Sequence, residues 1–291
     1  MELTAWTFLM LFLIALIVSF LSSMVGIGGG VLFVPLLVAF FGLSVPEART
    51  ISLFCMIFVT LSATIGYFRH KCIDWKLGLV YDLFAVPGIF VGTWVASILD
   101  NIFPTLLKVF VVVTLWTLAS LILLRKSKFK EDLKQKTVDV SFLDPQHPIK
   151  INQPKKWIFA LISSFAGGFV AGSVGMGGGT IDTSTMLILG IIPIIAVATS
   201  EFAMIFTNTF GFLTSAIFPY LGWNFLNNGA SPAPILWEFI LPMGIASLIG
   251  AFLGTILSRR IKGSVLKKML AIIVILIGIP ILLDIFGLWP F

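Results

Sequence analysis

Five long stretches without a single charged residue constrain the fold of this chain more than any other feature. They cover residues 3–46, 50–68, 157–181, 202–237 and 239–258. About 20 consecutive apolar residues are enough to cross the hydrocarbon core of a bilayer. The sequence therefore predicts an all-α protein that crosses a membrane several times, and it excludes a soluble enzyme core.

Composition and charge also favour a membrane protein. The chain is 58% hydrophobic and only 11% charged, against roughly 25% charged residues in soluble domains. Its net charge of +6 comes from residues between the apolar segments, which is typical of cytoplasmic loops and not of a nucleic-acid surface. Cys55 and Cys72 show no disulfide or metal-binding pattern and are predicted to be free thiols. No motif indicates a metal or another cofactor.

Two similar halves flank one polar segment. Gly26-Ile-Gly-Gly-Gly30 returns as Gly175-Met-Gly-Gly-Gly179, and Met56-Ile57-Phe58 returns as Met204-Ile205-Phe206, at offsets of 149 and 148. Repetition on this scale indicates duplication. Segment 125–156 carries nine Lys or Arg and four Asp or Glu. The predicted organisation is a membrane repeat at 1–124, a basic cytoplasmic linker at 125–156 and a second membrane repeat at 157–291.

Each half begins with an apolar segment that glycines interrupt and continues with three simple spans. The simple spans are predicted near 47–68, 77–99 and 104–124, and near 193–219, 235–258 and 266–286. The first broken segment, 3–41, would make a helix of about 57 Å, nearly twice the roughly 30 Å core of a bilayer. It must break or fold back at the triple glycines, because Gly is a poor helix former that tolerates turn conformations.

The distribution of Lys and Arg favours folding back. If both broken segments are re-entrant hairpins, 17 of the 19 Lys and Arg residues lie on one side, and only Arg49 and Lys108 lie on the other. If every segment crosses once, the split is 12 to 7. The positive-inside rule prefers the first arrangement, with the N-terminus outside and the linker inside. The two four-segment halves are then inverted repeats, which are typical of secondary transporters.

The paired glycine breaks form the predicted substrate site, at Gly28, Gly29 and Gly30 and at Gly177, Gly178 and Gly179. Helices that restart near Val31 and Thr180 would direct N–H groups and the positive ends of their dipoles at a shared cavity, which suits a small anion. One break alone would be interpreted as a packing bend, but two at matching positions favour a site. The small-xxx-small pairs that begin at Gly88 and Gly250 are interpreted as helix packing.

These residues resemble the sulfite exporter TauE/SafE family, also called the toluene-sulfonate uptake permeases, over nearly the whole chain. The resemblance rests on the two glycine motifs, on Pro35-Leu36-Leu37 and Gly42, and on Ala198-Thr199-Ser200 with Phe202 and Met204. It implies transport of sulfite, sulfonates or related sulfur anions across the cell membrane. The chain departs from the family pattern at Thr180-Ile-Asp182-Thr183-Ser184 and at Ile51-Ser52, so the second half is expected to be the more polar lining.

Uncharged polar side chains near the breaks complete the predicted substrate site, because they can donate hydrogen bonds to an oxyanion. They are Ser22, Ser23, Thr180, Thr183, Ser184, Thr199, Ser200 and Asn208. Each hydroxyl taken alone can equally bond to its own helix or to a neighbouring helix. Their clustering around the two breaks favours the lining.

Asp182 and Glu201 are the predicted coupling residues, since ionisable groups at membrane depth are costly and usually face a cavity or a partner. Their counterparts in the first half are Phe33 and Leu53, so the repeat does not require them. The alternatives are that Asp182 only offsets its own helix dipole and that Glu201 lies near the membrane surface. Asp82 also falls inside an apolar span.

The predicted function is secondary transport of a small sulfur-containing oxyanion, coupled to a proton or another cation. A passive anion channel is the main alternative. A membrane-embedded enzyme that uses Asp182 and Glu201 is the weaker one, because His70 and His147 fall in loops and no HExxH, P-loop, CxxC or G-x-S-x-G pattern occurs. The expected partners are the anionic substrate, the coupling ion and membrane lipids, with no nucleic acid.

Overall fold

A computed structural model of the chain describes residues 5–26, 28–69, 71–124, 154–191, 193–222, 235–257 and 263–288. Those residues form ten α-helices and no β-strand. The helices are α1 Ala5–Val25, α2 Gly30–Phe41, α3 Val45–Phe68, α4 Trp75–Ile102, α5 Pro104–Leu124, α6 Pro154–Val174, α7 Gly179–Ile188, α8 Pro193–Phe212, α9 Trp237–Leu257 and α10 Gly263–Ile285. A short π-helical turn, Leu213–Ile217, extends α8. The all-α prediction is confirmed.

Six of the described helices are long and apolar enough to cross a membrane: α1, α3, α4, α6, α8 and α9. The ends of α3, α4, α8 and α9 lie within a few residues of the predicted spans. Helix α6 begins at Pro154, three residues before the predicted boundary of the second repeat. Proline is common at the first position of a helix, so Pro154 is compatible with this earlier start. The rest of the predicted linker lies outside the described residues.

The equivalent helices α3 and α8 pack against each other in opposite directions. Leu53, early in α3, lies against Gly211, late in α8. At the other end of the pair, Ala63 clusters with Ala198. We call the end of the bundle where α3 begins the Val45 end, and the opposite end the Phe68 end. Residues that are equivalent in the two halves therefore approach opposite ends of the bundle.

The first broken segment is a hairpin that starts and finishes at the Val45 end. Helix α1 runs parallel to α9, because Leu16 lies against Gly250 and Phe20 lies against Gly254. After the break, α2 returns toward the start of α9, where the rings of Phe41 and Phe239 meet edge to face at 5.8 Å. The chain thus enters and leaves the hairpin at one end.

The second broken segment is the matching hairpin at the Phe68 end. Helix α6 runs parallel to α4, with Gly168 against Ala85 and Gly172 against Ile89. After the break, α7 returns toward the start of α6, where Met186 clusters with Ala160. The two hairpins therefore enter the bundle from opposite ends.

The two halves pack against each other in a reciprocal way. Helix α1 of the first half packs on α9 of the second half, and α6 of the second half packs on α4 of the first. Where these helices cross, a Cβ at Gly88 would lie 2.2 Å from the carbonyl oxygen of Phe165, and a Cβ at Gly250 would lie 2.3 Å from that of Leu16. Only glycine permits such close backbone contact. The interpretation of the small-xxx-small pairs as packing surfaces is confirmed.

Candidate functional site

The breaks of the two hairpins meet in the middle of the bundle. A Cβ at Gly30 would lie only 2.6 Å from the carbonyl oxygen of Gly175. On the other side of the contact, the hydroxyl of Thr183 donates to the carbonyl oxygen of Gly26 at 3.0 Å. The glycine clusters that the sequence predicts to form one site are therefore in direct contact.

Glycine is required at these breaks by the backbone conformation. Gly26, Gly28 and Gly29 have φ of 72°, 79° and 74°, and Gly175 and Gly177 have φ of 76° and 72°. This left-handed region is unfavourable for residues that carry a Cβ. After the turns, α2 and α7 begin at Gly30 and Gly179, and neither helix has a side-chain hydrogen bond at its N-cap. The positive ends of two helix dipoles therefore lie near the contact.

Two buried methionines fill the space between the breaks. Met56 of α3 lies over Gly30 and Gly177, and Met204 of α8 lies over Gly28 and Gly179. The sequence singles out both methionines through the repeat, and Met204 also through the family resemblance, but it predicts neither as a site residue. Their matching mid-span positions were the available signal that they belong to the site. Because the thioether side chain is unbranched and flexible, it can change rotamer at small cost.

Each methionine belongs to a stripe of four residues along one face of its helix. In α3 the stripe consists of Arg49, Ser52, Met56 and Thr60, and in α8 of Val197, Ser200, Met204 and Asn208. These spacings place the members of a stripe on one helix face. Ser52 donates to the carbonyl oxygen of Gly175 at 2.8 Å, and Ser200 donates to that of Gly179 at 3.3 Å. The two stripes occupy equivalent positions in the repeat. They differ in chemistry at two positions, because Arg49 of α3 corresponds to Val197 of α8 and Thr60 corresponds to Asn208.

Two of the predicted polar residues lie at this contact without a partner. The hydroxyl of Thr180 and both amide atoms of Asn208 are buried and form no hydrogen bond. The amide oxygen of Asn208 lies 3.7 Å from the position of a Cβ on Gly177. Because buried polar groups are usually paired, these groups are candidates for contact with a polar ligand.

Four other predicted lining residues have different bonding roles. Ser23 donates to the carbonyl oxygen of Ala251 and contributes to the α1–α9 packing. Thr199 accepts from the backbone N–H of Asp74 at the start of α4. Ser184 and Ser22 donate to carbonyls of their own helices, although Ser22 also lies beside Gly29. The polar groups gathered at the contact are therefore a smaller set than the sequence predicts.

Asp182 lies in the first turn of α7 and is almost completely buried. Its Oδ1 atom has no hydrogen-bond partner, and the carboxyl group lies beside the backbone of Gly167 and Gly178. Asp82 of α4 is close enough for the two charges to interact. One oxygen of Asp82 accepts from Thr207 at 2.8 Å, and the other has no partner. Two incompletely paired carboxyl groups therefore lie near the second break.

Glu201 is completely buried in α8, and neither of its carboxyl oxygens has a partner. The structure therefore places this side chain inside the protein and not at its surface. Among the described residues, no group of three or more His, Cys, Asp or Glu side chains could hold a metal ion. The described cysteines, Cys55 and Cys72, are both buried and form no disulfide with each other.

Comparisons with known proteins agree with this architecture. Residues 11–281 match the family model described as sulfite exporter TauE/SafE. The chain is 26% identical to a Bacillus subtilis (strain 168) protein described as "Probable membrane transporter protein YunE", over 96% of this chain and 98% of that protein. No solved structure matches. Because the family model covers almost all of both halves, this chain belongs to the sulfite exporter TauE/SafE family.

Proposed function

We propose that this chain is a secondary transporter that moves a small sulfur-containing oxyanion, such as sulfite or an organosulfonate, across the cytoplasmic membrane. Family membership and six membrane-length helices make it a multi-pass membrane transporter. The description of the family model supports the proposed class of substrate. The observation that carries the proposal is the contact between two glycine-broken hairpins, one from each half, in the centre of the bundle.

The chemistry of this contact suits an anion. The N-terminal ends of α2 and α7 lie there, and helix N-termini favour negative charge. The unpartnered hydroxyl of Thr180 and the amide of Asn208 supply further hydrogen-bond donors. Met56 and Met204 occupy the space, so an entering anion would displace their flexible thioethers. A small anion is favoured because the backbones approach closely.

The direction of the helices supports an inverted-repeat mechanism of alternating access. The first hairpin extends as far as Val197, near the Phe68 end, and the second extends as far as Arg49, near the Val45 end. Movement of one hairpin against α3 and α8 would open the site to one side at a time. The end of α3, the start of α6 and the end of α9 lie on the Phe68 side. In the sequence these helix ends adjoin the basic segments 69–76, 125–156 and 258–268, so we assign that side to the cytoplasm.

We further propose that Asp182 couples transport to a proton. An ionised carboxyl group without a full set of partners is costly to bury. A charged Asp182 would also repel an anion at the neighbouring break, whereas a protonated Asp182 can donate a hydrogen bond to it. Proton and anion would therefore bind with positive linkage. The negative charge of Asp82 on α4 would further favour protonation of Asp182.

Purified protein in liposomes would test the proposed function. Uptake of sulfite, sulfate, thiosulfate, taurine and sulfoacetate would be measured with and without an imposed proton gradient. We expect accumulation of at least one sulfur anion above equilibrium when the gradient is present. Downhill flux without accumulation would indicate a channel, and chemical conversion of the anion would indicate an enzyme. Protein-free liposomes with the same lipids provide the background rate.

A further inference from the structure

Arg49 is the one Lys or Arg that is buried among the residues whose side chains the structure describes. The charge count of the sequence places it on the outer side of the membrane, near the start of the predicted span 47–68. The structure instead places it in the first turns of α3, where Ser44 and Glu47 form a capping box that fixes the start of the helix. Arg49 is therefore held in the bundle interior, 4% exposed.

The guanidinium of Arg49 has unused binding capacity. Nη1 donates to the carbonyl oxygen of Gly172 at 3.2 Å, near the end of α6. Nε is buried and has no hydrogen-bond partner. A guanidinium carries five N–H donors and keeps its charge at all physiological pH values. The bond to Gly172 resembles a helix C-cap, but it uses only a small part of the hydrogen-bonding capacity of this group.

No carboxylate neutralises Arg49 by direct contact. Among the described residues the one ion pair is Lys108 with Asp284. Asp100, half-buried near the end of α4, interacts with Arg49 only through space. A buried charge normally requires a paired counter-charge. This guanidinium therefore lacks a contacting anion.

The position of Arg49 relates it to the central contact. Its side chain passes over Gly175, where a Cβ would lie 2.7 Å from Cγ of Arg49. Arg49 precedes Met56 by seven residues on the same stripe, which is about 10 Å along the helix. It thus lies between the Val45 end and the site at the breaks. The equivalent residue, Val197, lies over Gly26 and carries no charge.

We propose that Arg49 binds the transported oxyanion directly, as the charged group of a subsite between the Val45 end and the glycine breaks. This inference rests on the proposed function, because it assigns the residue that recognises the anion's charge. Guanidinium groups bind sulfonate-like and carboxylate-like oxyanions through paired hydrogen bonds. The absence of a second cation at Val197 makes the two approaches to the site unequal, and anions bind more tightly on the Arg49 side.

The test compares Arg49→Gln with Arg69→Gln, which replaces an exposed arginine at the opposite end of the same helix. Sulfite uptake and the sulfite-induced rise in melting temperature of the purified protein would both be measured. Loss of a charge-assisted hydrogen-bonded pair predicts a rise in KM of at least about tenfold for Arg49→Gln. The same change predicts loss of the sulfite-induced stabilisation. Arg69→Gln should behave as the wild type.

A second variant covers the case in which Arg49→Gln does not fold. Asp100→Asn removes the negative charge that partly offsets the charge of Arg49 through space, so KM for sulfite should fall. A purely structural role for Arg49 predicts an unchanged KM in Asp100→Asn.

Three outcomes would overturn the inference: a wild-type KM in Arg49→Gln, an unchanged KM in Asp100→Asn, or no stabilisation of the wild type by sulfite, sulfate, taurine or sulfoacetate. If sulfite stabilises the wild type but not Arg49→Gln, and no transport is detected, the result supports the subsite and refutes the proposed function.

Discussion

The same substitution at equivalent glycines in the two breaks should have different effects on stability. Gly30 and Gly179 each begin the helix after a break, and neither has a positive φ. Alanine therefore introduces no backbone strain at either position and gains up to about 1 kcal/mol of helix propensity. The difference between Gly30→Ala and Gly179→Ala must come from what the new Cβ contacts.

At Gly30 the new Cβ would lie 2.6 Å from the carbonyl oxygen of Gly175 and 2.8 Å from the carbonyl carbon of Met176. An ordinary contact begins at 3.4 Å, so the two hairpins must separate by roughly 0.8 Å, at the cost of about 1–3 kcal/mol typical of overpacking. At Gly179 the three atoms nearest to the new Cβ all belong to the side chains of Met204 and Ser200. Because Met204 can change rotamer, we expect a change of less than about 1 kcal/mol there.

The assay is thermal unfolding of both variants in one detergent, together with sulfite uptake in liposomes. We expect a melting temperature lower by several degrees for Gly30→Ala, at about 2–4 °C per kcal/mol, and a nearly wild-type value for Gly179→Ala. Both variants should transport more slowly, because both fill the space between the breaks. An equal loss of stability in the two variants, or normal uptake in both, would refute this account of the contact.

Three further predictions test the coupling, the packing and the membrane orientation. Asp182→Asn should retain sulfite binding but lose its pH dependence and proton-driven accumulation, and an unchanged pH dependence would leave Asp182 with only a capping role. Gly88→Val should reduce the yield of monodisperse protein in size-exclusion chromatography, because its Cβ would lie 2.2 Å from the carbonyl oxygen of Phe165; in the control, Gly244→Ala, the new Cβ makes ordinary contacts with Phe58 at 3.4 Å and Phe54 at 3.6 Å. In intact cells an impermeant thiol reagent should label Leu221→Cys but not Arg69→Cys, whereas the opposite result would reverse the assignment of the two sides.

Much of the fold could be predicted because a bilayer permits few kinds of chain-spanning structure. Apolar length predicted the spans, and the glycine clusters located both breaks within a residue of where α2 and α7 begin. The small-xxx-small pairs were predicted to be packing surfaces that hold the halves together, but the helices that they contact were not predicted. Which helix of one half contacts which helix of the other depends on long-range contacts such as Gly88 against Phe165, and local sequence patterns do not encode such pairings.

The candidate site could be predicted only in part. The glycines were identified because they interrupt an apolar helical segment. Asp182 was identified because ionisable residues are rare at membrane depth. Met56 and Met204 were missed because methionine is an ordinary residue in an apolar span. Arg49 was not predicted as a site residue because the charge count assigns it to the outer side of the membrane, although aligning the repeats places it opposite Val197. Thr199 and Ser23 were included because sequence proximity to a break does not indicate the direction of a side chain.

The packing of α1 on α9 also has a consequence for the order of synthesis. Ser23 and the carbonyl of Ala251 that it contacts are separated by 228 residues. At about 5–20 residues per second of translation, roughly 11–46 s pass between the synthesis of these two residues. During this interval α1 has no native partner for the face that later contacts α9. Biogenesis of this protein therefore depends on the translocation machinery or surrounding lipid to shelter that face until the last quarter of the chain arrives.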